Sequence, residues 1–299
     1  MSKSPTEASS KGDQKPLSLG RLLTRNLGTR ILTGVLLLPI VLIALYLGGT
    51  AFSALVIFIM LVAALELNFI ITRHRLQLSS LVTVVIVAAL GLIRFLFSAS
   101  VDSMLLVYAV IVGVGTVVLF ALFFLNGERP HRLRDALIGA LGTVFLAHLT
   151  YVSLDLRESP LGLVIWLLVL TGTFGMDTFS YIGGRLFGRH RLAPHISPGK
   201  TIEGAVIGGV CAIILSVAFL LAANLLTVPF LIIAIGLPLA DLIGDLQESW
   251  VKRLYGVKDS YISWLNIMPG HGGVMDRIDG LSVVLIYTFV VLAVSGYPL

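Results

Sequence analysis

Charge is scarce in this sequence. Only 12% of its 299 residues are Asp, Glu, Lys or Arg, while 57% are hydrophobic. A soluble chain carries roughly 25% charged residues, so this composition excludes a disordered protein and an ordinary soluble enzyme. Cysteine is nearly missing too. Cys211 stands alone, which excludes an intramolecular disulfide and any cysteine-based zinc site. In its apolar run from Ala205 to Leu226 it reads as a small buried or lipid-facing residue. No internal repeat, low-complexity tract or linker to a soluble domain interrupts the chain. The net charge of +5 therefore reads as a mark of membrane orientation and not as a nucleic-acid surface.

What the chain has in plenty is long apolar runs. Nine can cross about 30 Å of hydrocarbon as helices: 30–48, 51–71, 80–99, 103–125, 136–154, 161–182, 205–226, 229–247 and 281–297. The expected fold is an all-α polytopic integral membrane protein with about nine transmembrane helices and a cytoplasmic N-terminus. The first run is too long for a secretory signal, and a second follows almost at once. With nine alternating spans, the cytoplasmic tail and loops hold all of the 21 basic residues except Arg94, within a span, and Arg157, outside. The positive-inside rule requires that asymmetry. Three regions follow: a flexible cytoplasmic tail over 1–27, N-terminal transmembrane helices over 28–170, and a catalytic transmembrane region over 171–299. In the last, polar residues enter the spans and two long cytoplasmic loops appear.

An ionisable group near the centre of a span costs at least ~2.5–3.5 kcal/mol. Glu66, Asp177, Asp241 and Asp245 sit within or at the ends of spans and each needs a partner, a cation or water. Glu66, with Asn68 near it, makes either an interhelical bond or a functional contact. Arg94 and His148 read as structural, by snorkelling or pairing. Asp241, Asp245 and Ser249 follow an i, i+4, i+8 pattern, with Glu248 three residues after Asp245. One helical face thus carries two carboxylates and a hydroxyl toward the cytoplasmic end, and the next turn adds Lys252 and Arg253.

The loop from Pro269 to Gly280 holds the densest chemistry. Gly270, Gly272 and Gly273 let backbone N–H groups approach phosphate oxygens. Asp276 and Asp279 share a face on a helical turn, and oxygen-only ligation suits Mg²⁺. His271 is either a phosphate contact, a proton carrier or a packing residue. The earlier loop has a matching character. Asp177 and Tyr181 share a helical face that Gly183-Gly184 is expected to end, and Arg185, Arg189, His190 and Arg191 form a basic cluster that suits either phosphates or anionic lipid. Gly199-Lys200-Thr201 has the end of a P-loop, but its required first glycine falls on Pro194, so the motif is absent. Ser197 as an N-cap with Pro198 at the first helical position would place free N–H groups and Lys200 at a helix start, an anion site. Acids for a metal, with glycines and bases for phosphates, equip a membrane surface for phosphoryl or nucleotidyl transfer. A secondary transporter is the rival reading, because intramembrane acids and broken spans fit one too.

Several blocks resemble the phosphatidate cytidylyltransferases, also called CDP-diacylglycerol synthases. They are Asp177-Thr178-Phe179-Ser180-Tyr181, Gly183-Gly184-Arg185, Ser197 to Gly204, Gly244 to Arg253, Gly256-Val257-Lys258-Asp259, Pro269 to Gly273 and Asp276-Arg277-Ile278-Asp279. The resemblance covers about residues 171–280. It departs in the nine residues Ser260 to Met268, more than the family pattern has there, and at Gly199, where the family has Lys or Asn. The insertion, with Tyr261 and Trp264, is expected to pack at the bilayer surface. The resemblance implies transfer from CTP to phosphatidate in phospholipid biosynthesis, with Mg²⁺, alone or with a second cation, in a bacterial inner membrane, as a monomer or homodimer. It implies Asp245, Asp276 and Asp279 as metal ligands. Asp245, Asp276, Lys252, Arg253 and His271 become catalytic. Asp177, Tyr181, Ser197, Lys200, Thr201, Glu203, Ser249, Lys258, Asp259, Gly272, Gly273 and Arg277 become substrate contacts. A cytidylyltransferase or kinase for another lipid phosphate or alcohol stays open beside it.

Overall fold

In the computed structural model, residues 35–73, 75, 77–96, 101–127, 130–262, 267 and 272–298 are described, 101–106 by their backbone alone. The 1–27 tail, His271 and Trp264 lie outside the described residues. Among the described residues, nine helices answer the nine apolar runs. They are α1 (Val35–Leu47), α2 (Gly49–Ile71), α3 (Leu78–Leu96), α4 (Val101–Asn126), α5 (Arg132–Glu158), α6 (Gly162–Phe187), α7 (Ile202–Ala222), α8 (Val228–Leu254) and α9 (Met275–Val294). Eight of them, α2 to α9, are long and apolar enough to cross a membrane. The protein is an all-α polytopic membrane protein, and its one sheet among the described residues is a small hairpin between α6 and α7.

Two local expectations are corrected. Gly183-Gly184 does not end α6, which runs on to Phe187. Gly183 serves packing instead: a Cβ there would lie 2.8 Å from the Ile207 Cβ of α7. Nor does a helix begin at Pro198. Residues Arg191–Ala193 (β1) and Ser197–Thr201 (β2) pair antiparallel, Arg191 opposite Thr201 and Ala193 opposite Ser197. The hairpin gives this backbone partners that a helix start would leave unpaired. Thr201 is the true cap of α7, its hydroxyl accepting from the Gly204 N–H at 3.2 Å.

The last helices also reach further than their apolar runs. α8 has 27 residues, a rise of about 40 Å, which exceeds about 30 Å of hydrocarbon. Its last turns carry Glu248 and Lys252. α9 begins at Met275, which puts Asp276 and Asp279 on its first turns. The buried core runs through α5, which touches α2, α3, α4, α6 and α9, while α6 packs along α7 and α8 along α9. At the motif end, the Tyr255 hydroxyl donates to Asp135 at 2.9 Å and Arg134 lies 4.7 Å over the Tyr255 ring. Burial, and Asp135 after it, push that phenol above the usual tyrosine range.

The opposite end holds the two basic residues that stood apart from the rest. Arg157 donates to the last carbonyls of α1, Leu45 at 2.8 Å and Tyr46 at 3.3 Å. Arg94 pairs with Asp155 at 2.7 Å and Glu158 at 2.8 Å. His148 Nδ1 lies 2.8 Å from the Tyr108 hydroxyl.

Candidate active site

α6, the hairpin, α7 and α8 enclose a polar cavity of about 430 Å³ at the motif end. Asp177 and Tyr181 come from α6, Lys200 and Thr201 from the hairpin, Asp241 and Asp245 from α8. Arg185, Arg189 and Arg191 also line it and are exposed. The Lys200 ammonium donates to Asp245. Burial pushes it below the usual lysine range, against the pull of Asp279, Asp241 and Asp177. Asp241 is 3% exposed, and its Oδ1 is buried with no hydrogen-bond partner among the described residues. The cavity thus has an acidic floor with one central lysine, and arginines around it.

A second cluster lies further along α8, where it meets α9. Lys252 bridges Glu248 on α8 and Asp276 on α9, the latter at 2.5 Å. Asp276 Oδ2 accepts from the Gly273 N–H at 2.7 Å and the Ser260 N–H at 3.0 Å. Glycines set the distance between the helices. A Cβ on Gly244 would lie 2.3 Å from the Asp279 carbonyl oxygen, and one on Gly280 would lie 2.3 Å from Asp241 Oδ1. This close seam stacks the two acid–lysine clusters one above the other.

The sequence pattern of the cytidylyltransferase family matches residues 28–295. This chain belongs to that family. Its similar proteins include phosphatidate cytidylyltransferases of Brucella abortus, 38% identical over 154 residues (49% of this chain, 54% of the relative), and of Thermotoga maritima, 43% identical over 136 residues (43% and 48%). Another, from Staphylococcus saprophyticus, is 44% identical over 125 residues (41% and 44%). The chain spans about half the length of the curated relatives it matches.

The residues singled out in the sequence fall into three groups. Asp177, Tyr181, Lys200, Thr201 and Asp245 line the cavity, with Asp241 among them. Asp276, Lys252, Gly272 and Gly273 form the second cluster. Gly272 has φ +82°, and a Cβ on it would press on Asp276 Oδ2 at 2.5 Å. Ser249 is buried next to Glu248. Asp279 lies on the seam, its Oδ1 accepting from the Gly280 N–H at 2.8 Å.

The third group makes other contacts. Ser197 pairs with Ala193 in the hairpin. Glu203 accepts from the Arg189 N–H at 3.0 Å and from the His190 N–H and Nδ1, the last at 2.6 Å. Arg253 donates to the carbonyls of Ile196 at 3.1 Å and Val257 at 3.0 Å, fastening the end of α8 to the hairpin turn. Lys258, Asp259 and Arg277 are exposed, and Arg277 still lies near enough to act electrostatically on Asp177 of the cavity. Glu248 was visible in the sequence only as a neighbour of Asp245; its pairing with Lys252 at i+4 was the available signal.

Among the described residues, no three His, Cys, Asp or Glu side chains stand close enough for a ready metal cage. Asp245 and Asp276 each hold a lysine instead. The donors still fit a hard divalent cation. They are carboxylate oxygens, which suit such an ion, in excess of the cations among them, and one, Asp241 Oδ1, is buried without a partner among the described residues.

Proposed function

We propose that this protein transfers the cytidylyl group of CTP to phosphatidate, forming CDP-diacylglycerol and releasing pyrophosphate. The observation that carries this reading is the junction at the α8–α9 seam. On one side is the polar cavity. On the other is an apolar groove of about 770 Å³, lined by Leu137, Leu141, Phe145, Trp250 and Ile278, with Glu248 and Asp279 also in its wall. A triphosphate suits the first and two acyl chains suit the second. The reacting phosphates then meet where Asp276, Lys252 and Asp279 stand.

A phosphatidate oxygen is ionised at neutral pH and needs little base catalysis. It attacks the α-phosphorus in line; that P–O bond forms as the bond to pyrophosphate breaks. Lys200 and the exposed Arg185, Arg189 and Arg191 offset the triphosphate charge, and Lys252 holds the lipid phosphate. Mg²⁺ would be held by Asp245 and Asp276 with Asp241 and Asp279 beside them, and when bound it neutralises charge developing on the transferred group. The acidic floor supports a cation, because a bare polyphosphate would be repelled there. The distribution of basic residues supports a cytoplasmic active site; a cytoplasm-only reporter fused after Leu299 is then silent.

The test is the full-length purified protein with CTP, Mg²⁺ and phosphatidate. CDP-diacylglycerol and pyrophosphate are expected in equal amounts. Transfer of the γ-phosphate, or reaction only with an isoprenoid phosphate or alcohol, would overturn the reading in favour of a lipid kinase or a different cytidylyl acceptor. No transfer with any lipid would favour a transporter.

A further inference from the structure

Glu66 is the one acid on α2, in the half of the molecule that carries no motif. It is 2% exposed. Its carboxylate nevertheless reaches the start of α9. Oε1 accepts from the Val274 N–H at 2.9 Å, and Oε2 accepts from the Met275 N–H at 2.8 Å and the Ser260 hydroxyl at 3.2 Å. The first N–H groups of a helix have no partner within it, and the N-cap of α9, Val274, makes no side-chain bond to them. A glutamate from another helix supplies the missing acceptor. The fit is close: a Cβ on Gly273 would lie 2.6 Å from Glu66 Oε2 and 2.2 Å from the Ser260 hydroxyl.

The same backbone is gripped from the other side. Asp276 Oδ2 accepts from Ser260 and Gly273 N–H groups, while its Oδ1 takes the Lys252 ammonium. Two carboxylates, one from α2 and one from the first turn of α9 itself, thus clamp the chain at 260 and at 273–275. Glu66 touches neither the polar cavity nor the apolar groove. It acts on the backbone from which Asp276 projects.

We infer that Glu66 is a positioning residue for the transfer reaction: it fixes the first turn of α9 and Ser260 so that Asp276 and Lys252 are held against the reacting phosphate. This rests on the function proposed above. Glu66→Gln keeps the size but turns an amide toward an N–H donor. Glu66→Asp keeps both acceptor oxygens on a shorter stem. Thr83→Val is the control, since it removes the buried Thr83–Thr143 bond of 3.2 Å in the same half, away from either site.

Turnover at saturating CTP, the dissociation constant for CTP, the thermal midpoint and amide exchange over 273–276 are measured for all of them. Glu66→Gln is expected to lower turnover by about tenfold or more, since small misplacements at a reacting centre are costly. Its CTP dissociation constant stays within about twofold, because the Lys200 cavity is untouched. Exchange at Val274 and Met275 rises. Glu66→Asp recovers part of the turnover, and Thr83→Val keeps full turnover despite a lower midpoint. The inference is overturned if Glu66→Gln turns over like the unaltered protein, or if turnover follows the thermal midpoint across all three variants. Unchanged exchange at Val274 and Met275 overturns it as well. That last measurement needs no activity, so it decides the clamp even if the unaltered protein makes no CDP-diacylglycerol.

Discussion

The helices before Gly162 and those that begin there or later are both largely apolar, yet they treat charge in opposite ways. In the first set, Arg94 meets Asp155 and Glu158, Arg157 meets the open carbonyls of α1, and His148 meets Tyr108. Cation and acceptor are matched within a few ångströms. In the second set, acids gather in excess. Asp177, Asp241, Asp245 and Asp279 act on the single Lys200, and Glu248 and Asp276 share the single Lys252. A chain that only needed to fold in lipid would match these groups or omit them. Matched charge holds a bundle together, whereas uncompensated acid beside arginine has a ligand still to come. Glu66 is the point where the first set reaches into the second.

The largest expected effect breaks the second set at its acids. Asp245→Asn and Asp276→Asn preserve size and remove charge. Each should lower turnover by about a hundredfold or more, as loss of charge stabilisation at a transferring phosphoryl group does. The double variant should lose little more than the worse single one, because groups acting through one ion are not additive. Turnover of folded, membrane-inserted protein at saturating Mg²⁺ checks this. Near-normal turnover in either variant would remove that residue from the site and bring Asp279 or Asp241 forward.

A smaller effect sharpens the comparison through pH. Burial sets the Lys200 ammonium below the usual lysine range. Triphosphate binding that needs its charge is present below that lowered value and lost as pH rises through it. The alkaline limb of kcat/KM for CTP should therefore fall at lower pH than an ordinary lysine would give, by about tenfold per pH unit beyond the limb. Stability moves the other way. The folded value lies below the unfolded one, so this group's own contribution to stability rises with pH between the two. Lys200→Arg, which stays charged, should carry the limb to higher pH. A limb unmoved in Lys200→Arg would assign it to another group.

Much of this was legible in the sequence because it rests on long signals. Nine apolar runs and the sorting of Lys and Arg depend on many residues each, so single errors do not change the spans. Asp241 and Asp245 were readable because helical spacing is regular. The hairpin was not. Ser197-Pro198 has the residues of a helix start, and only the partner strand at Arg191–Ala193, a tertiary contact, shows why Thr201 caps α7 instead. Glu203 matched a family block, but its bonds to the 189–190 backbone depend on how that hairpin folds back. Glu66 was visible as an acid in an apolar run. Its partners lie more than 190 positions along the chain, and no local pattern connects them.

The smallest expected effect on turnover tests the first set. Arg94 and Asp155 are 14% and 8% exposed, at the end of the bundle opposite the motif loops. Removing one partner of a buried pair strands the other, at a cost of roughly 3–5 kcal/mol. Arg94→Leu should therefore lower the thermal midpoint by several degrees while leaving turnover per folded molecule unchanged, because none of the described residues at that end lines the cavity or the groove or joins the clamp. Asp155→Leu added to it should restore part of the midpoint, since replacing both charges with apolar groups removes the stranded carboxylate. Glu158 keeps the restoration incomplete, as it has lost Arg94 too. If Arg94→Leu instead lowered turnover with the midpoint held, the matched charges of the first set would be coupled to the reaction. The division between a scaffold half and a reacting half would then fail at the residues that express it best.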